Sequence, residues 1–228
     1  MARFLQTTTP HLQTTLDFYQ SLNFQHAFVE GMHFVGDGGL LIGINEARTS
    51  RLGLAIVGED RDEIEKAMTP MSPIHKNEEG LMMADPSGVV TTVSANDLEL
   101  PEFENQPSAL GNAAGLTIET ANMEGSLAYY EALGFETTMD KASDGWLAMK
   151  DKSGFGLSLL NIGMCPHLFF NPSVSFFNGK EGNPKIIQNL RDKGISFAEE
   201  ITQFNKEGIV DNVIVRDPGG LGFFVFND

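Results

Sequence analysis

Cysteine is nearly absent. Cys165 stands by itself in 228 residues, which excludes an internal disulfide and fits a reducing compartment. Basic residues are also scarce, 15 against 31 acids, for a formal net charge of −16. Phosphate backbones and anionic bilayers are bound through clustered Lys and Arg, so neither nucleic acid nor a membrane surface is an expected partner. No segment reaches the roughly 18 apolar residues that a membrane-spanning helix needs. Met1-Ala2-Arg3-Phe4 does not open a basic region leading into an apolar one, so no export signal is expected and a cytoplasmic protein is the simple reading. Tryptophan occurs once, as Trp146. The five histidines, His11, His26, His33, His75 and His167, form no short ligand pair. Cys165-Pro166-His167 brings two soft donors together in a long connection, where a packed thiol is the simpler account.

What the chain has in quantity is itself. Leu16-Asp17-Phe18-Tyr19-Gln20-Ser21-Leu22-Asn23-Phe24 is echoed by Leu127-Ala128-Tyr129-Tyr130-Glu131-Ala132-Leu133-Gly134-Phe135, and Asp85-Pro86-Ser87-Gly88 by Asp217-Pro218-Gly219-Gly220. The helix motifs are offset by 111 residues (129 minus 18) and the Asp-Pro turns by 132 (217 minus 85), so the second half carries about 21 more residues between them. A repeat of this length is a small domain.

Periodicity and turn signals give the element order. A strand over 2–8 leads to a helix whose Thr9-Pro10 has the form of an N-cap followed by proline. Strands follow over 25–30, 32–36 and 40–45. The order restarts with a strand over 52–57, a helix over 60–68, and strands over 72–75, 81–84 and 89–93. The Asp-Pro-x-Gly runs suit hairpin turns, with proline fixing φ and glycine free to take the left-handed region. Residues 97–112 read as a linker between a first module at 1–96 and a second at 113–228. There the pattern repeats: strand 116–120, helix 123–133, strands 136–139, 146–149 and 156–160, then strand 174–177, helix 184–193 and strands 197–201, 210–215 and 221–226. The fold class is α+β, four tandem βαβββ units in two modules.

In these motifs the chain resembles the vicinal oxygen chelate superfamily, the glyoxalase, bleomycin-resistance and extradiol dioxygenase group. The resemblance rests on the two aromatic helix motifs and the two Asp-Pro-x-Gly hairpins, in the same order twice, and spans the whole chain. It implies a curled, mixed eight-stranded sheet per module whose concave face forms a cup for a small ligand. In metalloenzymes of the group, His, Gln or Glu side chains on those strands bind a divalent ion that polarises substrate oxygens. The outer ligand positions that the resemblance carries over are Phe4 and Thr92 in the first module, Gly115 and Phe224 in the second. The middle one falls around Arg51–Gly53 and Asn171–Val174, where neither window holds His, Glu or Asp. No metal and no cofactor are expected.

Residues i and i+2 of a strand share a face. If Phe4 points into its cup, so do Gln6 and Thr8, and Thr92 faces them from the closing strand. That cup is expected to be moderately polar and uncharged. In the second, Thr117 and Glu119 accompany Gly115, with Phe224 and Phe226 on the closing strand and room left at Gly115 and Gly222. Trp146 is placed to stack on a ligand or to serve as core. Phe224 and Phe226 either wall the cup or fill it. Glu119 is the one acid placed for general-base work, which needs a raised pKa.

The expected function is therefore metal-free sequestration of a small organic molecule in a cup. The residues offered for contact are Gln6, Thr8, Thr92, Thr117, Glu119, Trp146 and Phe224. The acidic charge favours a cationic ligand. One alternative is a glyoxalase-like lyase, isomerase or dioxygenase with an unconventional metal site. Another is a degenerate module with filled cups that acts through protein contacts. Paired modules within one chain allow a monomer, and a homodimer stays open.

Overall fold

Each half of the chain builds its own eight-stranded sheet, and the strand order is the same in both. The computed structural model describes residues 2–95 and 98–227, so the expected module boundary at Asn96 and Asp97 lies outside the described residues. The first unit runs β1 (Ala2–Thr8), α1 (Leu12–Ser21), β2 (Gln25–Val29), β3 (Met32–Gly36) and β4 (Leu41–Asn45). The second runs β5 (Gly53–Val57), α2 (Arg61–Met68), β6 (His75–Asn77), β7 (Gly80–Ala84) and β8 (Val90–Ser94). The third is β9 (Ala113–Thr120), α3 (Met123–Ala132), β10 (Glu136–Lys141), β11 (Trp146–Lys150) and β12 (Gly156–Asn161). The fourth is β13 (Ser173–Phe177), α4 (Gly179–Asp192), β14 (Glu199–Ile201), β15 (Asn212–Arg216) and β16 (Gly222–Phe226). The sheets run β2-β3-β4-β1-β5-β8-β7-β6 and β10-β11-β12-β9-β13-β16-β15-β14. Two units thus join through their antiparallel first strands, β1 with β5 and β9 with β13.

Local chemistry accounts for the elements, with three corrections to the sequence reading. Asp60, expected as the first helical residue, is the N-cap of α2, its carboxylate accepting the amides of Asp62 and Glu63 at 2.9 and 3.2 Å. Thr9 does not cap α1. The N-cap is His11, and the Thr9 hydroxyl instead accepts the His11 amide and the Thr15 hydroxyl at 3.0 and 2.7 Å. Helix α4 begins five residues before Pro184 (184 minus 179). Asn183, fully buried, anchors that added turn by donating to the carbonyls of Asp211 and Val225. The strand expected over 72–75 starts at His75, because Ser72 leaves the ladder to donate its hydroxyl to the Ala84 carbonyl at 2.8 Å.

The Asp-Pro turns join the modules as well as the strands. One oxygen of Asp85 accepts the Ser87 and Val89 amides, and one oxygen of Asp217 accepts those of Gly220 and Leu221. Gly88 and Gly220 take φ of +87° and +111°, where a side chain would be strained. The second oxygen of each carboxylate reaches the other module. Tyr19 donates to Asp217 at 2.9 Å, and its repeat partner Tyr130 donates to Asp85 at 3.1 Å. Arg3 crosses the same seam, pairing with Asp151 at 2.6 Å and donating to the Leu133 carbonyl, and within its own module it pairs with Glu59 at 2.9 Å. One apolar core, including Leu5, Tyr19, Leu116, Tyr130 and Phe223, runs through both modules. Burial at the seam pushes the Asp217 carboxyl above its ordinary range, against the opposing bonds from Thr7 and Tyr19. The same burial, with the nearby carboxylates, pushes the phenols of Tyr19 and Tyr130 well up.

Candidate functional site

Strand register defines the floor of each cup. In the first, Phe34 lies opposite Gly43, and Gly43 opposite Gln6. The corresponding row of the second is Ala148, Ser158 and Thr117. Next to it, Phe4, Ala55 and Thr92 form a row across β1, β5 and β8, matched by Gly115, Ser175 and Phe224 across β9, β13 and β16. The large and small residues trade places. The first cup is bulky over β2–β4, at Phe4 and Phe34, and light at Thr92. The second is light at Gly115 and Ala148 and bulky at Phe224.

A cover lies over the bulky half in each module. In the first, Leu98, Leu100 and Phe103 of the inter-module segment pack onto Phe4, Phe34, Ala55 and Val57. Phe4 and Phe34 meet edge to face at 5.3 Å. Phe103 lies so close over Gly36 that a side chain there has no room. In the second, Phe169, Phe170 and Phe226 pack onto Ile201, Ile214 and Phe224. Phe169 and His167 approach the Phe224 ring at 4.9 and 5.3 Å. Phe170 takes the space expected at Gly222, and Gly115 is glycine because its backbone, at φ +125°, passes against the Gly156 carbonyl.

The expected contact residues separate accordingly. Gln6 and Thr92 come together in the first cup, the Thr92 hydroxyl 3.4 Å from the Gln6 side-chain oxygen, while Thr8 sits half-buried at the end of β1. The cup is more apolar than expected, because Phe34 and the covering segment contribute to it. Phe224 is 1% exposed and belongs to the packed half, enclosed by Phe169, Phe170 and Phe226. Thr117, Glu119 and Trp146 share the other half of the second cup. Thr117 shares a 2.8 Å hydrogen bond with Ser175. Trp146, Ala148, Ser158 and Leu160 are half-buried, and β10 is exposed throughout. The Lys141 ammonium lies 5.3 Å over the Trp146 ring. Glu119 is fixed by Asn171, whose side-chain amide bonds both its backbone N–H and its carbonyl, at 3.2 and 2.8 Å. Its carboxylate accepts the Gly163 amide at 3.3 Å. Burial, and then the Glu119 charge, push the Cys165 thiol up to about 11, which makes it a poor nucleophile.

The residues do not fit the divalent ion that the resemblance implies. Register places Ala55 and Ser175 between the outer positions, outside the windows inferred from spacing. The two rows are then Phe, Ala, Thr and Gly, Ser, Phe, without an imidazole or a carboxylate. Among the described residues no three His, Cys, Asp or Glu gather as a metal would require. Two surface hollows, about 430 and 190 Å³, flank the β3–β4 turn beside the inter-module segment and belong to neither cup.

No protein-family model matches the chain, and no curated protein matches it. Solved structures do. A homoprotocatechuate 2,3-dioxygenase variant from Brevibacterium fuscum, in complex with HPCA, superposes with a TM-score of 0.61 at 14% identity, covering 99% of this chain and 70% of that one. A manganese(II)-bound glyoxalase from Novosphingobium aromaticivorans gives 0.57 at 13%, over 97% of this chain and 79% of its own. A 4-hydroxymandelate synthase mutant from Streptomyces coelicolor gives 0.57 at 10%, over 97% and 90%. At such identities the likeness is one of fold. The chain has the fold of the vicinal oxygen chelate superfamily, as two tandem modules.

Proposed function

We propose that the protein holds a small organic molecule in the half of the second cup floored by β10–β12. The observation that carries this is the exchange of Phe4 and Phe34 for Gly115 and Ala148. In the first cup the same half is filled by those rings and covered by Leu98, Leu100 and Phe103. A ligand ring takes their place in the second, against Trp146, with Thr117 and Ser158 offering hydroxyls for orientation. Apolar area removed from water, at about 25 cal/mol per Å², supplies most of the affinity. The protein then works by sequestration, and no bond of the ligand need change.

A thermal-shift screen of small aromatic molecules tests this on wild type and on Ala148→Phe, which recreates Phe34 in the second cup. Ligands that raise Tm for wild type and lose that effect in the variant support the reading. Equal shifts in both proteins sink it. The dioxygenase and glyoxalase neighbours favour a second reading, a metal-dependent enzyme with an unusual ligand set. It predicts a stoichiometric, chelator-sensitive metal after incubation with manganese, iron, zinc or nickel, read by elemental analysis.

A further inference from the structure

One cross-strand row of the second cup carries charge of both signs around an aromatic ring. Lys141 lies opposite Trp146, Trp146 opposite Leu160, and Leu160 opposite Glu119. The indole already carries an ammonium 5.3 Å above its ring, so that face attracts cations. Lys141 sits on an exposed strand, where such a contact is weak and exchangeable. Glu119, two strand spacings from Trp146, or about 9.5 Å, makes no ion pair among the described residues. Lys141 is a further strand away, too far to neutralise it. The row thus offers an aromatic platform, an apolar bridge at Leu160 and a carboxylate that accepts the Gly163 amide but makes no ion pair among the described residues, in that order.

We infer that the ligand of the second cup is an aromatic cation, its ring on Trp146 and its ammonium over Leu160 beside Glu119. This rests on the reading that the second cup is the binding site, and it adds the ligand's chemical class. It also gives Lys141 a role. The lysine occupies the indole face when the ligand is absent, and its positive charge opposes a cation that arrives. The overall charge of −16 draws cations toward the protein, while the row decides where they stop.

Three probes of one shape separate the possibilities: phenylpropylammonium, phenylpropanol and phenylpropanoate, each titrated calorimetrically into wild type, Glu119→Gln and Lys141→Gln. The expected order on wild type is ammonium tightest, alcohol weaker by about fivefold or more, and carboxylate weakest. Glu119→Gln removes the preference for ammonium and leaves alcohol binding unchanged. Lys141→Gln tightens the ammonium by about two- to fivefold, the range of an exposed cation–π contact. Equal binding of ammonium and alcohol, or tighter ammonium binding in Glu119→Gln, overturns the cation assignment while the cup remains the site. Binding of none of the three counts against the cup as a site for aromatic ligands, and against this inference with it.

Discussion

Where the first cup carries Phe34, Gly43 and Gln6 across three strands, the second carries Ala148, Ser158 and Thr117. In the adjoining row Phe4, Ala55 and Thr92 answer to Gly115, Ser175 and Phe224. The backbone plan is one and the filled half is opposite. Large side chains at one pair of positions close a half-cup, and a nearby stretch of chain then covers them. Small side chains at those positions leave a floor that half-buried Trp146 and Leu160 border. A repeated fold can thus move its bulk from one half of a sheet to the other without moving any strand.

The largest expected effects lie in the filled and shared parts. Arg3→Met leaves the buried Asp151 carboxylate without its cationic partner and should cost about 3–5 kcal/mol in denaturant unfolding. If ligand binding survives in the folded fraction, the cups differ by their own residues and not by how the seam holds them. Phe34→Ala, at a fully buried ring, should likewise cost about 3–5 kcal/mol. Ala148→Phe, at the matching position, should move stability by about 1 kcal/mol or less, because it meets a half-open floor.

Alkaline pH comes next. Burial raises the phenol pKa of Tyr19, Tyr129 and Tyr130 above the ordinary value. Their stabilising contribution is whole below about pH 10, the unfolded value, and is lost as pH rises beyond it, because only the unfolded chain ionises readily there. Denaturant midpoints measured across that window should fall steeply. All three are buried in the core that joins the modules, so Trp146 in the second cup should report no change until the chain unfolds. A midpoint that stays flat above that pH contradicts the sign. Phe103→Ala, at a half-buried ring, should cost about 1–3 kcal/mol and let aromatic probes enter the first cup, read as new binding stoichiometry. Smallest of all, Trp146→Phe should change stability by less than about 1 kcal/mol while weakening any aromatic ligand.

Much of the fold was legible because periodicity and turn chemistry are local. The strand over 2–8, the helix that follows Asp60 and both Asp-Pro turns follow from residues within one turn of one another. The exchange of bulk was not. The repeat offset is 111 at Gln6 and Thr117 but 114 at Phe34 and Ala148 (148 minus 34), because the short 3₁₀ turn over Ala142–Asp144 lengthens one hairpin. Counting from the helix motif therefore pairs Phe34 with Gly145. Register also hides the middle positions Ala55 and Ser175. The segment after the first sheet looked like a plain linker because Leu98, Leu100 and Phe103 follow no period. They are spaced by the cup they cover. Thr117, Glu119 and Trp146 could be offered from alternation and composition, and the sheet places them in one half-cup.

The most direct test uses the chain's single tryptophan. Emission from Trp146 is quenched with acrylamide in free wild type, in Ala148→Phe, and in wild type saturated with a ligand from the thermal-shift screen. An open half-cup predicts ready quenching in free wild type, with shielding both by the variant ring and by the ligand. A Trp146 already shielded in the free protein, and unchanged by either, would contradict the account.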